Sequence, residues 1–344
     1  MGSWEYLPAE ALAHVFSYLP RRDRLSCSLV CQAWKNGLNH MKLWKTIVVY
    51  IDKDLMEPST ILLLRDYCKY VKNLEFGWSV SNKSKLGPVV FKELTKRAVR
   101  FFLILHDNFT QIHKLKISNW LDFTAFQKIT YHLSRFLKVN FTKMMTACLS
   151  SKTTITYLDL HNCDYCQYFD AVYFRSCIEE LSYLKTFKLD YYILACNLID
   201  SIVTSRNRCL ENLELVLGGN RVISNDQWRL LNNACPNLKV KIISNVYSDL
   251  ERYLAQSIPL VAFSVTIPRS LNRETRYNFL KTLHLLIITY YKTLVYLDVR
   301  IRNDVDILDE VLTMAIKKYS RLKTLAFNGV LENPELLNTC VESE

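Results

Sequence analysis

The sequence is poor in residues that break regular structure, and it lacks any long apolar run. Its 344 residues include only seven glycines and eight prolines while half are hydrophobic, so we expect a folded chain rather than a disordered one. No apolar run approaches the roughly 18 residues of a membrane helix. No charged segment followed by an apolar run opens the chain, so we expect a soluble protein without a secretory signal. The scarcity of glycine also argues against a glycine-rich phosphate-binding loop.

Patterns typical of catalytic and metal sites are missing as well. The seven histidines are scattered, without a Ser/His/Asp or Cys/His arrangement, so we predict no catalytic residue and no cofactor. Cys163 and Cys166, with His161 nearby, have the inner spacing of a zinc pair, but a structural zinc needs four ligands and no second pair is evident. We therefore predict no metal. Eleven cysteines without paired spacing are typical of free thiols in a reducing compartment, here the cytoplasm, the nucleus or both.

Charge leaves the partner open. A net charge of +11 fits an acidic protein or a nucleic acid and decides between neither. Four cations, Lys92, Lys96, Arg97 and Arg100, decorate a predicted helix over Phe91–Phe102, which could touch nucleic acid or an anionic membrane surface. A solvated outer helix face is the favoured interpretation, so we expect neither nucleic acid nor a membrane as the main partner.

Residues 7–44 have the pattern of three short helices. Leu12, Val15, Phe16 and Leu19 recur at i, i+3, i+4 and i+7, which predicts one apolar helix face that ends at Pro20. So short a stretch cannot enclose much core, and its apolar residues are more numerous than a lone mini-domain can bury. The surplus is typical of a surface that a partner covers, with large aromatic residues as anchors.

This stretch resembles an F-box. The residues that match the family pattern, without a gap, are Leu7, Pro8, Glu10, Leu12, Phe16, Leu19, Asp23, Val30, Cys31, Trp34, Leu43 and Trp44. The resemblance implies docking onto the Skp adaptor of a cullin-based ubiquitin ligase and, through it, onto the cullin scaffold. The residues predicted to supply packing and adaptor contact, which sequence alone cannot divide between the two roles, are Leu7, Pro8, Val15, Phe16, Leu19, Leu25, Val30, Trp34, Leu43 and Trp44.

A Leu-x-x-Leu-x-Leu phrase then recurs nine times, with other apolar residues as substitutes and spacings of about 23 to 43 residues. The copies are Val71–Phe76, Ile112–Ile117, Ile155–Leu160, Leu184–Leu189, Leu210–Leu215, Leu238–Ile243, Leu260–Val265, Leu294–Val299 and Leu322–Phe327. A further strand is predicted at Thr46–Ile51, followed by a polar turn around Glu57, Pro58 and Ser59. Helix-like stretches between the copies predict a solenoid of parallel strands and outer helices. The predicted helices are Phe91–Phe102, Phe123–Leu137, Tyr168–Leu181, Ile193–Val203, Asp226–Asn233 and Ile307–Tyr319.

The repeats resemble the leucine-rich repeats that follow F-boxes, with a loose likeness to the F-box only protein 39 group. The predicted fold is therefore α/β: a small all-helical F-box module at 1–45, an irregular leucine-rich-repeat-like solenoid at 46–332 with its strands on the concave side and its helices on the convex side, and a C-terminal tail at 333–344. The irregular spacing departs from the usual regularity of the family, so the number of repeats stays open.

Residues between the buried leucines face the other side of the strands, where a substrate would bind. Across the clear copies this face has four basic and five acidic residues, so it does not resemble a cluster of Arg and Lys that would bind a phosphorylated substrate. A mixed polar surface with tyrosine anchors suits a protein epitope, although a merely solvated face is an equal alternative for any one residue. The predicted substrate contacts are Tyr157, Asp159, His161, Lys188, Asp190, Glu214, Tyr296, Asp298 and Arg300.

Together these features predict a non-catalytic substrate receptor of an SCF (Skp–cullin–F-box) ubiquitin ligase, which presents a protein for ubiquitination and proteasomal degradation. Two alternatives stay open. One is a basic protein associated with nucleic acid, and the other is an interaction scaffold that never joins a ligase. The substrate and its pathway, and whether the protein dimerises, are not encoded in any of these patterns.

Overall fold

The computed structural model describes most of the chain in two compact units. The described residues are 7–79, 88–108, 111–119, 154–161, 175, 178–179, 181–196, 198–204, 209–245, 249–267, 273–301 and 308–333. Unit 1 comprises Met1–Tyr183 and unit 2 comprises Leu184–Glu344. Both consist of parallel strands with helices in the connections, so the α/β class is confirmed.

Unit 1 begins with four short helices and continues with strands that alternate with helices. The four helices are α1 (Ala9–Ser17), α2 (Arg21–Cys27), α3 (Gln32–Leu38) and α4 (Met41–Trp44). The strands are β1 (Thr46–Tyr50), β2 (Asn73–Gly77), β3 (Lys114–Ser118) and β4 (Tyr157–Asp159), each parallel to its neighbour. Between them lie a 3-10 turn at Asp54–Met56, helix α5 (Pro58–Tyr67), a 3-10 turn at Cys68–Tyr70 and helix α6 (Pro88–Asp107).

Unit 2 repeats the alternation of strand and helix. Its strands are β5 (Thr186–Asp190), β6 (Asn212–Val216), β7 (Lys239–Ser244), β8 (Leu260–Ile267), β9 (Tyr296–Ile301) and β10 (Thr324–Asn328), again parallel. Its helices are α7 (Tyr191–Leu194), α8 (Leu198–Thr204), α9 (Asn225–Ala234), α10 (Arg273–Tyr290) and α11 (Asp309–Lys318), with a 3-10 turn at Leu250–Tyr253.

The register of the strands confirms the repeat interpretation. In unit 1 the central leucines Leu74, Leu115 and Leu158 stand opposite one another on β2, β3 and β4. In unit 2 Phe187, Leu213 and Val240 form a second aligned row, and Phe263, Leu297 and Leu325 form a third. A shift between Val240 and Lys241 on β7 separates these two rows. Within each of the three rows, a repeat places its central apolar residue against that of the next repeat, and all of these residues are buried except Leu325, which is half-buried.

Two predicted helical features differ from the structure. Pro58, expected in a turn, opens helix α5, since proline is favoured in the first helical turn where its missing N–H has no partner. The predicted helix Ile193–Val203 is divided into α7 and α8 by a turn at Ala195 and Cys196.

Helix α10 was not predicted at all. The predicted helices at 91–102, 226–233 and 307–319 are confirmed as α6, α9 and α11. The helix predicted at 123–137 lies outside the described residues, and so does most of the one at 168–181.

The domain boundaries stay predictions, and the predicted tail lies outside the described residues apart from residue 333. Within the described residues, no helix is both long and apolar enough to cross a bilayer.

Candidate functional site: the helical module and the polar strand face

The helical module has a small apolar core between α1 and α3. Helix α1 turns Leu12, Ala13 and Phe16 inward, all at most 3% exposed, and packs them against α3. The two helices approach closely at Gly37, where a Cβ would lie 3.0 Å from the Leu12 Cβ and 3.3 Å from a ring carbon of Phe16. The absence of a side chain at residue 37 therefore permits the close contact of α1 and α3.

Trp44 joins the module to the first helix of the solenoid. Its indole is buried, its Nε1 donates a hydrogen bond to the Leu38 carbonyl oxygen at 2.6 Å, and its ring stacks on Tyr67 of α5 with 4.3 Å between ring centroids. Burial of so large a side chain with its polar atom satisfied is a major source of stability. Trp44 thus fixes the module relative to α5.

Arg24 ties the ends of the module's helices together. Its guanidinium donates to the carbonyl oxygens of Phe16, Leu19 and Leu43 at 3.0, 3.0 and 2.8 Å, and to that of Ser17 at 3.2 Å. Three of these carbonyls lie at the C-terminal end of α1, where backbone acceptors lack helical partners and a cation is favoured. Burial, and then the charge of Arg21, lower the pKa of the Arg24 guanidinium.

Sequence reasoning did not single out Arg24. The available signal was a cation shortly after the end of a predicted helix. Its neighbour Arg21 also anchors the module to the solenoid: Arg21 donates to the Val48 carbonyl oxygen of β1 at 2.9 Å and forms an ion pair with Asp54.

The ten predicted adaptor residues divide into three groups by exposure. Phe16, Leu43 and Trp44 are at most 4% exposed and serve the packing of the module itself. Leu7, Leu19, Leu25 and Trp34 are half-buried, and the Trp34 ring meets Phe16 edge-on at 5.3 Å between centroids. Pro8, Val15 and Val30 are exposed. The structure thereby separates core from surface, which the sequence pattern could not.

Three exposed residues were missed by the sequence prediction. Tyr18 is 76% exposed, Leu29 is 87% exposed and Met41 is 60% exposed. Tyr18 directly follows the last residue of α1 and stands three residues after Val15, so both side chains lie on the outer side of this helix end. The signal for Leu29 was its place beside Val30, just before α3 begins, where two consecutive aliphatic residues cannot both turn into a small core.

The polar face of the strands in unit 1 is paired internally. Glu75, Lys116 and Asp159 each follow the central leucine of their strand, so they stand in one row. Lys116 Nζ lies 3.0 Å from Glu75 Oε1, and the hydroxyl of Ser118 donates to the same oxygen at 2.8 Å. Burial acts to lower the pKa of Lys116, but the hydrogen bond and charge of Glu75, with a further contribution from Asp159, raise it overall.

The predicted substrate contacts of unit 1 meet at Asp159. This carboxylate is 6% exposed, accepts a hydrogen bond from the Tyr157 hydroxyl at 3.2 Å, and lies 3.5 Å from Nδ1 of His161. The structure therefore brings Tyr157, Asp159 and His161 together as one cluster.

Unit 2 has the corresponding row on β5, β6 and β7. Glu214 Oε2 lies between Lys188 Nζ at 3.2 Å and Lys241 Nζ at 3.4 Å. Asp190, at the end of β5, is half-buried and directly precedes α7. Lys241 was not predicted, although it follows the central residue of its copy as Lys188 and Glu214 do.

Asp298 organises a second cluster in unit 2. Its carboxylate is 7% exposed and receives the Arg300 guanidinium at 3.1 Å and the Tyr296 hydroxyl at 3.5 Å. Arg300 itself is exposed. The predicted substrate contacts on this face thus satisfy one another rather than presenting free charge.

Acidic, cysteine and histidine side chains are the candidate metal ligands of the chain. Across the described part of the chain, no group of three or more such residues could hold a metal ion. Cys163 and Cys166 lie outside the described residues, so the prediction that they bind no zinc stays a prediction.

Comparison with known proteins identifies the helical module. The family model of F-box-like domains matches residues 4–50. F-box/LRR-repeat protein 12 of Bos taurus is 32% identical over 104 residues, which cover 28% of this chain and 31% of that protein. F-box only protein 33 of Homo sapiens is 31% identical over 77 residues, which cover 22% of this chain and 14% of that protein. The matched part spans less than a third of the length of these curated relatives.

Among solved structures, the leucine-rich repeat-containing protein LegL7 of Legionella pneumophila matches with a TM-score of 0.35 and 10% identity, covering 76% of this chain and 71% of that one. The repeat assignment rests instead on the aligned leucines and parallel strands described above. The nearer likeness to the F-box only protein 39 group stays a prediction. The chain therefore carries an F-box-like module, matched over residues 4–50, and a body of parallel strands with the leucine-rich-repeat pattern follows it.

Proposed function

We propose that this chain is the substrate-recognition subunit of an SCF ubiquitin ligase. The module formed by α1 to α4 binds the Skp adaptor and through it the cullin, and the strands hold a protein for ubiquitination and degradation. The observation that carries the proposal is a set of large apolar side chains left exposed on an F-box-like module whose other large apolar side chains, such as Phe16 and Trp44, are buried. The exposed set is Val15, Tyr18, Leu29, Val30 and Met41.

The energetics of these side chains favour a protein partner. Single exposed apolar residues are ordinary, but five within about thirty residues of one small module leave much apolar area uncovered, and a protein partner would bury it. Tyrosine and methionine are enriched in such interfaces, where a few anchors supply most of the binding energy. F-box domains in general bind the Skp1 adaptor, which supplies the partner for this surface.

The solenoid acts by positioning and supplies no bond-making group. Holding a substrate near the charged ubiquitin-conjugating enzyme raises its effective concentration, which suffices for transfer. A substrate that binds the strand face replaces the internal pairs at Asp159, Glu214 and Asp298 with contacts to its own polar groups. Because old contacts are lost as new ones form, recognition depends on matching polar groups rather than on strong net attraction. Tyr157 and Tyr296, both half-buried, are the proposed anchors.

The proposed place of action is the cytoplasm, the nucleus or both. Each of the six cysteines in the described part of the chain is a free thiol, and they range from buried to exposed. Free thiols suit a reducing compartment.

Reconstitution tests the proposal. The purified chain is mixed with Skp adaptor, cullin and the ubiquitin-transfer enzymes, and proteins captured from cell extract are assayed for ubiquitination. We expect a stable complex with adaptor and cullin. We also expect ubiquitination of captured proteins that declines when Tyr157→Ala and Tyr296→Ala are combined, while adaptor binding is retained.

Two results would contradict the proposal. Adaptor binding without cullin recruitment would support the non-ligase scaffold. Nucleic-acid binding near physiological salt, with a steep dependence on salt and without adaptor binding, would support the nucleic-acid alternative.

A further inference from the structure

A groove on the helical side of unit 1 takes no part in the function proposed above. It lies between α5 and α6, has a volume of about 460 Å³, and is lined by Ile61, Leu62, Glu93, Lys96, Arg97 and Arg100. The volume is in the range of sites that hold a small molecule or a few side chains. Tyr67 of α5 stacks on Trp44, so the groove is fixed relative to the helical module.

Helix α6 has two different faces, and the groove lies along the outer one. Leu94, Ala98, Phe101 and Leu105 recur at helical spacing and are at most 3% exposed, and Phe101 stacks on Phe76 of β2. On the other face Lys96 and Arg100, one helical turn apart, are exposed. The groove is therefore separated by the body of α6 from the polar strand face.

Arg97 and Glu93 form a fixed wall of the groove. Arg97 Nε lies 3.3 Å from Glu93 Oε1, and its Nη1 donates to the carbonyl oxygens of Leu55 and Met56 at 3.0 and 3.2 Å. A guanidinium with three partners is held in one orientation. The charge of Glu93 is thus already balanced by Arg97.

Lys96 and Arg100 have no carboxylate partner within the described part of the chain. Because three cations and one carboxylate line the groove, its net charge is +2. Like charges one turn apart on a helix repel each other and lower its stability. A ligand that places carboxylates between them removes that repulsion.

The groove also offers aliphatic surface to an apolar group of a ligand. Leu62 is 54% exposed and Ile61 beside it is half-buried, so both offer aliphatic surface next to the two cations. Nucleic-acid grooves combine a longer track of cations with aromatic stacking platforms. The described lining of this groove contains a carboxylate and no aromatic side chain.

We propose that the groove between α5 and α6 binds an acidic amphipathic segment of a partner protein. Its apolar side chain packs on Ile61 and Leu62, and its carboxylates, spaced by about one helical turn, pair with Lys96 and Arg100. The receptor would then carry a third docking surface, on the helical side of unit 1, separate from the adaptor module and the strand face.

Fluorescently labelled helical peptides test the proposal with the full-length chain. One set has leucine on one face and glutamate at i and i+4 in several orders, and a matched set has lysine in place of glutamate. We expect the acidic peptides to bind and the basic ones to fail. Lys96→Glu/Arg100→Glu should weaken binding by roughly tenfold or more, and Leu62→Gln should weaken it severalfold.

The matched control is Lys317→Glu/Arg321→Glu, the same charge reversal at the same spacing on exposed residues of unit 2, which should leave the affinity within about twofold. Melting curves confirm that each variant is folded, and a titration with Skp adaptor should be unaffected by all of them. Failure of every acidic peptide to bind the folded chain overturns the proposal. An equal loss in the control variant, or tighter binding of single-stranded oligonucleotides or phosphatidylserine vesicles than of any acidic peptide, also overturns it. Adaptor binding is scored separately, so the ligase proposal stands or falls on its own.

Discussion

The helical module and the polar strand face differ in what their surfaces expose. The module buries Phe16 and Trp44 and leaves Tyr18, Leu29 and Val30 uncovered. The strand face pairs charged side chains with one another, as at Glu214. Any complementary partner that buries exposed apolar groups binds favourably, because apolar surface is removed from water. An internally paired polar face must instead exchange its own contacts for contacts with the partner. The helical module is therefore suited to binding one constant partner, and the strand face is suited to selecting among protein substrates.

The largest expected effect comes from removing Trp44, which belongs to the buried part of the module. Trp44→Ala loses a buried ring, its stacking on Tyr67 and the hydrogen bond to Leu38, so the free energy of unfolding should fall by about 3–5 kcal/mol. Urea denaturation measures this change, with Tyr18→Ala, at an exposed aromatic residue of the same module, as the control. An equal, small loss in both variants would remove the distinction between core and surface within the module.

Arg24→Met should have the next largest effect. The substitution leaves carbonyl oxygens of α1 and α4 without their charged donor, which should lower the free energy of unfolding by about 2 kcal/mol. Arg24→Lys should recover only part of this loss, because an ammonium cannot reproduce the planar fork of donors. Thermal melting compares the three chains, and an unchanged midpoint for Arg24→Met would show that these hydrogen bonds contribute nothing net.

Trp34→Ala tests the intermediate case of a half-buried aromatic ring. Its edge contact with Phe16 and its partial exposure suggest a stability loss of about 1–2 kcal/mol, less than for Trp44. The adaptor affinity should decline as well, since part of the ring belongs to the outer surface of the module. Denaturation and adaptor titration on the same sample separate the two contributions; a loss as large as that of Trp44→Ala would place Trp34 wholly in the core.

The smallest effect is expected on the strand face. Glu214→Gln removes the carboxylate shared by two partly exposed lysines, and the stability loss should stay below about 1 kcal/mol and shrink at high salt. Glu211→Gln, which loses a more exposed pair with Lys185, is the matched control and should cost even less. A loss of several kcal/mol at Glu214, insensitive to salt, would mean that the face is a structural element rather than an exchangeable surface.

The sequence predicted the strands well because their signal is local. Each copy has its own leucines at fixed spacing, and the rows of Leu74, Leu115 and Leu158 follow from stacking such copies. Helix α5 was missed because Pro58 is compatible with both a turn and a first helical turn.

What could not be predicted depends on which parts of the chain meet in space. The role of Arg24 depends on carbonyl oxygens from two other helices, and the exposure of Leu29 depends on how α2 and α3 cross. The pairing of Lys188 with Glu214 could have been inferred, because both directly follow the central residue of adjacent copies. Comparing the position directly after the central residue in adjacent copies would have shown that acidic and basic side chains alternate there and pair with one another.

The central claim is that the exposed apolar residues of the module bind the adaptor. Calorimetric titration of Skp adaptor into the full-length chain tests it most directly. Leu29→Asp/Val30→Asp is compared with the matched control Val222→Asp/Leu230→Asp, which alters exposed aliphatic residues of unit 2. We predict tight binding by the wild type and the control, and an affinity loss of roughly tenfold or more for Leu29→Asp/Val30→Asp with an unchanged melting midpoint. Equal affinity in all three chains, or no binding by the folded wild type, would contradict the account.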